Sequence, residues 1–118
     1  METEPNKEPF HILVLDDERS IRWVLERTLT QAGYIPHLAT DAPEAKQLLR
    51  KHAIRLALVD VNLPGLDGIS FTREVLQEYP YLLIIIMTGQ STMYNTVEAM
   101  KAGAFDYVAK PFNIDEIE

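Results

Sequence analysis

A chain of 118 residues that is 47% hydrophobic and 25% charged has the make-up of one soluble core, which excludes a disordered chain. The absence of cysteine excludes a disulfide framework and a thiolate metal site, and fits a reducing compartment, the cytoplasm by default. A formal net charge of −7 argues against a grip on nucleic-acid phosphates, and the longest apolar run, Tyr81 to Met87, is far too short to span a bilayer.

The opening "METEPNKEPF" lacks the apolar stretch of a secretory signal, and residues 1–9 read as a loose polar tail. Residues 11–15, "HILVL", form a first strand that runs into Asp16 and Asp17. Ile21, Val24, Leu25 and Leu29 then recur at helical spacing on a helix that ends before Gly33, a residue suited to the C′ position. A second strand covers 35–39. Asp41 with Glu44 three residues on caps a second helix, whose apolar stripe is Ala45, Leu48 and Leu49. The third strand, 56–60, closes on Asp60, and Pro64-Gly65 reads as a turn.

Asp67 caps a third helix that runs to about Glu78, before Pro80. Residues 82–87 make the fourth strand, followed by Thr88, and a fourth helix covers roughly Thr92 to Ala102 and stops at Gly103. A fifth strand at 105–109 leads into Lys110 and Pro111. Asn113 and Glu116 look like a capping pair, but Glu118 comes barely one turn later, too short for a stable helix. The expectation is a chain cut within its last helix and a larger parent protein.

Strand and helix alternating five times imply parallel strands joined by right-handed crossovers, hence a three-layer α/β sandwich. Strand order 2-1-3-4-5 sets the first and third strands side by side at the switch point, where open sheets of this class bind ligands. Asp16, Asp17 and Asp60 then converge, with Thr88 and Lys110 at the ends of neighbouring strands. Singly, each has an ordinary explanation: a helix cap for Asp17, a strand end for Thr88, a solvated ammonium for Lys110. Their coincidence at strand ends is what points to a site. Three adjacent carboxylates repel unless protonated or neutralised by a cation, and Mg²⁺ suits them, since it takes a few protein oxygens together with water and a phosphoryl group.

The segments "VLDDE", "LVDVNLPGLDG", "IIMTG" and "GAFDYVAKPF", in this order and spacing, resemble the receiver domains of two-component response regulators over residues 10–118, with a CheY-like, flavodoxin-like fold. "SIRWVLERTL" and "GAFDYVAKPFNIDE" look most like the NtrC-type regulators, which activate the enhancer-dependent sigma factor, sigma-54. The resemblance implies that Asp60 accepts a phosphoryl group from a sensor histidine kinase. It also implies Mg²⁺ on Asp17, Asp60 and the backbone carbonyl of Asn62, with Asp16 acting through water. Lys110 would pair with the phosphate, aimed by a cis Lys110-Pro111 peptide, and Thr88 would hydrogen-bond it while Tyr107 turns with Thr88 as a switch. Asn62 and Gln90 would flank the water that attacks in dephosphorylation.

In that family the face built by the fourth helix, fifth strand and fifth helix shifts on phosphorylation and commonly dimerises, here to control an ATPase and a DNA-binding domain elsewhere in the parent chain. Such a module is a phosphoacceptor, not an independent turnover enzyme. Two other classes fit less well. A phosphatase of the haloacid dehalogenase type carries Asp-x-Asp after its first strand, whereas here the two acids are adjacent. A flavin or nucleotide module needs a Gly-rich phosphate loop that does not follow the first strand; a stand-alone signalling adaptor differs only in output. Trp23 lies off the first helix's stripe and reads as packing at its edge, with kinase docking as the sharper alternative. His11, His37 and His52 lack metal-ligand spacing and have no assigned role.

Overall fold

A computed structural model describes residues 9–63, 65, 67–89 and 93–109. Its elements are β1 (His11–Leu15), α1 (Arg19–Gln31), β2 (Ile35–Ala39), α2 (Ala42–Lys51), β3 (Ile54–Asp60), α3 (Gly68–Glu78), β4 (Leu83–Thr88), α4 (Met93–Lys101) and β5 (Asp106–Ala109). The strands form one sheet in the order β2-β1-β3-β4-β5, parallel throughout. This is the expected three-layer α/β fold. The expected fifth helix lies outside the described residues.

Alternation within β1 explains why the strands read as unbroken apolar runs. Leu13 and Leu15 enter a core with Ala45 and Leu49 of α2, Phe71 and Val75 of α3 and Ala99 of α4. Ile12 and Val14 enter a second core with Leu25 and Leu29 of α1. Both faces of the sheet are covered, so both parities must be apolar. Beside α1 an apolar groove of about 400 Å³ opens, bordered by Phe10, Leu25, Leu29, Tyr34, Leu58 and Val108.

The helix ends follow the signals in the chain. Gly33 takes a φ of +95°, and past it the Tyr34 N–H donates to Leu29 O at 2.9 Å while the Gly33 N–H donates to Thr30 O at 3.0 Å. That double closure requires a left-handed residue, which glycine supplies without a Cβ penalty. Asp41 and Asp67 cap as expected, accepting from the Glu44 N–H at 3.0 Å and the Ser70 N–H at 2.8 Å. Glu44 turns back one residue further than a simple capping box, to the Thr40 N–H at 2.9 Å.

Three strands begin elsewhere than expected, β5 at Asp106, one residue after 105. β3 starts at Ile54, and β4 runs from Leu83 to Thr88, one residue later than 82–87. Leu82 is apolar and buried, but its N–H is held in the preceding turn by Tyr79 O at 3.1 Å. Trp23 is 57% exposed, with the Arg27 guanidinium 5.0 Å above its ring, so packing at the stripe's edge leaves more than half of it open to solvent.

Candidate functional site

The chemistry-bearing residues gather where β1 and β3 stop together. Leu15 pairs with Val59 in register, so the next residues, Asp16 and Asp60, leave adjacent strands at the same level. Asp16, Asp17 and Asp60 each present a carboxylate oxygen, and the three oxygens lie within 4.8 Å of one another. Asp16 and Asp60 are buried, at 0% and 2% exposure, while Asp17 is open to solvent.

Hydrogen bonds to the backbone hold the two buried acids, Asp16 and Asp60. The Asp16 N–H donates to Ala39 O of β2 at 3.1 Å, its Oδ1 accepts the Glu18 N–H at 2.8 Å, and its carbonyl accepts Arg22 Nη1 at 2.9 Å. These bonds shape the turn into α1. Glu18, not Asp17, occupies the N-cap of α1, so Asp17 is not spent on capping. Asp60 Oδ1 accepts the Asn62 N–H at 3.2 Å, and the Val61 N–H donates to Met87 O at 2.9 Å, which carries the β3–β4 ladder past the acid.

Gly68, which carried no expectation from the sequence, completes this floor. Its N–H donates to Val61 O at 2.9 Å, and a Cβ placed on it would collide with the Asp60 carbonyl oxygen and stand 2.9 Å from both Asp60 C and Val61 Cα. Only glycine lets the first turn of α3 lie against the end of β3. Its place directly after the Asp67 cap made it look like an ordinary first helical residue.

Thr88 is buried as the last residue of β4, one register step beyond Met87, the partner of Asp60. It pairs with Ala109 of β5, and Tyr107 pairs with Ile86 two residues earlier. Ile84 and Ile86 enter the core under α2 to α4, and half-buried Tyr107 packs on that same core. Strand alternation therefore sets Thr88 and Tyr107 on one face of neighbouring strands. Asn62 is exposed, two residues past Asp60. Lys110, Pro111 and Gln90 lie outside the described residues.

The electrostatics of the crevice call for a positive charge. Two full charges within 4.8 Å repel by about 3.5 kcal/mol or more at an effective dielectric of ~20. A divalent cation removes that repulsion, and an all-oxygen, anionic donor set with one solvent-open member matches a hard ion that keeps water in its coordination shell. Among the described residues, no helix is long and apolar enough to cross a membrane.

A doubly wound parallel sheet with an acidic cluster at its switch point and a buried hydroxyl on the next strand defines a receiver module of the signalling type. The model of the response regulator receiver domain matches residues 12–118, and the chain belongs to that family. It is 41% identical over 105 residues to the DNA-binding transcriptional regulator NtrC of Escherichia coli strain K12, a match covering 89% of this chain and 22% of the relative. It is 33% identical over 108 residues to a putative response regulator NtrX-like of Rickettsia felis, covering 90% of this chain and 23% of that one. The chain thus spans about a fifth of the length of these relatives. Among solved structures, chemotaxis protein CheY4 of Vibrio cholerae superposes with a TM-score of 0.89 at 29% identity, over 93% of each chain. The receiver domain of NtrX from Brucella abortus gives 0.84 at 33% identity, over 90% of each. The chain is a response-regulator receiver domain related to those of NtrC and NtrX.

Proposed function

We propose that this domain takes a phosphoryl group from a sensor histidine kinase onto Asp60 and relays its presence to an output. The observation that carries the reading is the convergence of Asp16, Asp17 and Asp60 at the ends of adjacent strands. An Asp60 carboxylate oxygen forms the bond to phosphorus as the P–N bond to the kinase imidazole breaks, and the electron pair of that bond leaves with the imidazole. Burial of Asp60 and its bond from the Asn62 N–H fix the attacking group in one orientation. Asp17, Asp60 and the Asn62 carbonyl would hold Mg²⁺, with Asp16 acting through water; the ion when bound supplies charge neutralisation for the transferring group. Treating the chain with acetyl phosphate and Mg²⁺ should add one phosphoryl group by intact mass, and no gain in mass would refute the reading.

Lys110 and Thr88 are the proposed readers of the phosphate, as a point charge and a hydroxyl donor. Thr88 and Tyr107 share a face of neighbouring strands, which supports a coupled turn of the two. Lys110→Ala should leave residual labelling while suppressing the conformational response. Phosphate-dependent spectral shifts equal to those of the parent would remove Lys110 from that role. Asn62 and Gln90, both polar, orient attacking water in the proposed hydrolysis. Large apolar replacements at both should change the lifetime of the adduct, and an unchanged hydrolysis rate would remove them from that role.

The NtrC and NtrX relatives are several times longer, which supports placing residues 10–118 as one receiver domain in a larger cytoplasmic regulator. Its output is an ATPase and a DNA-binding domain acting in sigma-54-dependent transcription, reached through the α4–β5 face and a dimer formed on phosphorylation. Its net charge of −7 leaves nucleic-acid contact to those other parts.

A further inference from the structure

His11, His37 and His52, unremarkable in sequence spacing, meet at the opposite end of the strands from the acidic crevice. His11 opens β1, five residues before Asp16, a separation of about 16 Å at ~3.3 Å per residue. It shares its parity with Leu13 and Leu15, and His37 shares its parity with Ala39, all members of the core beneath α2. Both rings therefore project toward the face that α2 covers. His52 is the C-cap of α2, fixed there by its N–H to Leu48 O at 3.0 Å and by the Ile54 N–H to its own carbonyl at 2.9 Å.

This brings three imidazoles together from β1, β2 and α2. His11 Nδ1 lies 2.8 Å from His37 Nε2, and the His37 and His52 rings stack with centroids 4.1 Å apart. One nitrogen from each ring falls within 4.8 Å of the other two, and all three residues are half-buried and reachable from solvent.

We propose that this cluster is a binding site for a divalent first-row transition ion, held by three neutral imidazoles with water in the fourth position. Nitrogens bound tetrahedrally to Zn²⁺ at 2.0–2.1 Å stand about 3.3 Å apart, between the 2.8 Å of the His11–His37 pair and the 4.8 Å within which all three nitrogens lie, and coordination requires the rings to turn out of their near-parallel arrangement so that their lone pairs converge. The His11–His37 hydrogen bond is exchanged for the ion. Burial lowers the pKa of His37 below the usual 6.5, as do the neighbouring His52 and His11, which favours the neutral, ligating form. Imidazole nitrogen selects Zn²⁺, Cu²⁺ or Ni²⁺ over Mg²⁺, so the domain carries two sites of different metal preference at opposite ends of its sheet. A bound ion would pin edge strand β2 to the end of α2.

Zn²⁺ titrated calorimetrically into the chain, without a polyhistidine tag and in excess Mg²⁺, tests this together with imidazole ¹⁵N spectra. One Zn²⁺ should bind, all three ring signals should shift, and thermal stability should rise. His37→Gln and, at the helix end where folding is least at risk, His52→Gln should each weaken binding by more than the ~10–100-fold that loss of an outer-shell partner costs. Affinity equal to the parent's in both variants, unshifted ring signals, or binding no tighter than the millimolar range would overturn the site.

Discussion

Asp60→Asn should abolish phosphoryl labelling by acetyl phosphate while leaving the fold intact. The amide keeps the shape of the carboxylate and an oxygen able to accept the Asn62 N–H, now bonded at 3.2 Å, so the loop after β3 has no reason to move. What it loses is the proposed anionic nucleophile, and no neighbour is expected to replace it. Asp16 is tied through its Oδ1 to the Glu18 N–H, and Asp17 is the solvent-open member of the cluster. The amide also relieves part of the repulsion among the three acids, so the variant is expected to fold. Intact mass and thermal melting measured on the same samples check both halves. An adduct on the variant equal to that on the parent would place the nucleophile elsewhere.

Gly68→Ala should couple stability to the site. In a helix, alanine is ordinarily the more favourable residue by about 0.5–1 kcal/mol. Here the added methyl would overlap the Asp60 carbonyl and press on Val61 Cα, which are backbone atoms that cannot rotate away. The sign therefore reverses. Destabilisation at or beyond the ~1–3 kcal/mol typical of overpacking is expected, with slower labelling, because relief of the overlap displaces Asp60, the proposed nucleophile. Gly89→Ala is the control, since a Cβ there meets nothing within 4 Å. Denaturant midpoints of the two variants that coincide would show that α3 does not rest on β3 as described.

What was legible in the chain depended on whether local physics decided it. β1 and β2 stand at 11–15 and 35–39 as expected, and each run stops at polar residues, Asp16-Asp17 after β1 and Thr40-Asp41 after β2. The start of β4 slipped by one, since Leu82 and Leu83 are equally apolar and only the bond from Leu82 to Tyr79 assigns Leu82 to the turn. The three acids were legible because strand order alone brings Asp16 and Asp60 to one end of the sheet. Gly68 was not, because its role rests on the approach distance between α3 and β3, which no residue pattern encodes. The histidines were missed for a related reason. Their convergence needs β1 paired with β2 in the observed register and α2 ending where it does, and none of this shows in their separations along the chain.

The most direct test of the proposed chemistry is to trap the adduct by hydride reduction, which converts an aspartyl phosphate to homoserine, and to map the peptides by mass spectrometry. With acetyl phosphate and Mg²⁺, homoserine should stand in place of Asp60 and of no other acid, and excess chelator should abolish it. Conversion at Asp16, Asp17 or a surface carboxylate instead, or undiminished conversion at Asp60 in chelator, would contradict the assignment of Asp60 as a metal-dependent phosphoacceptor.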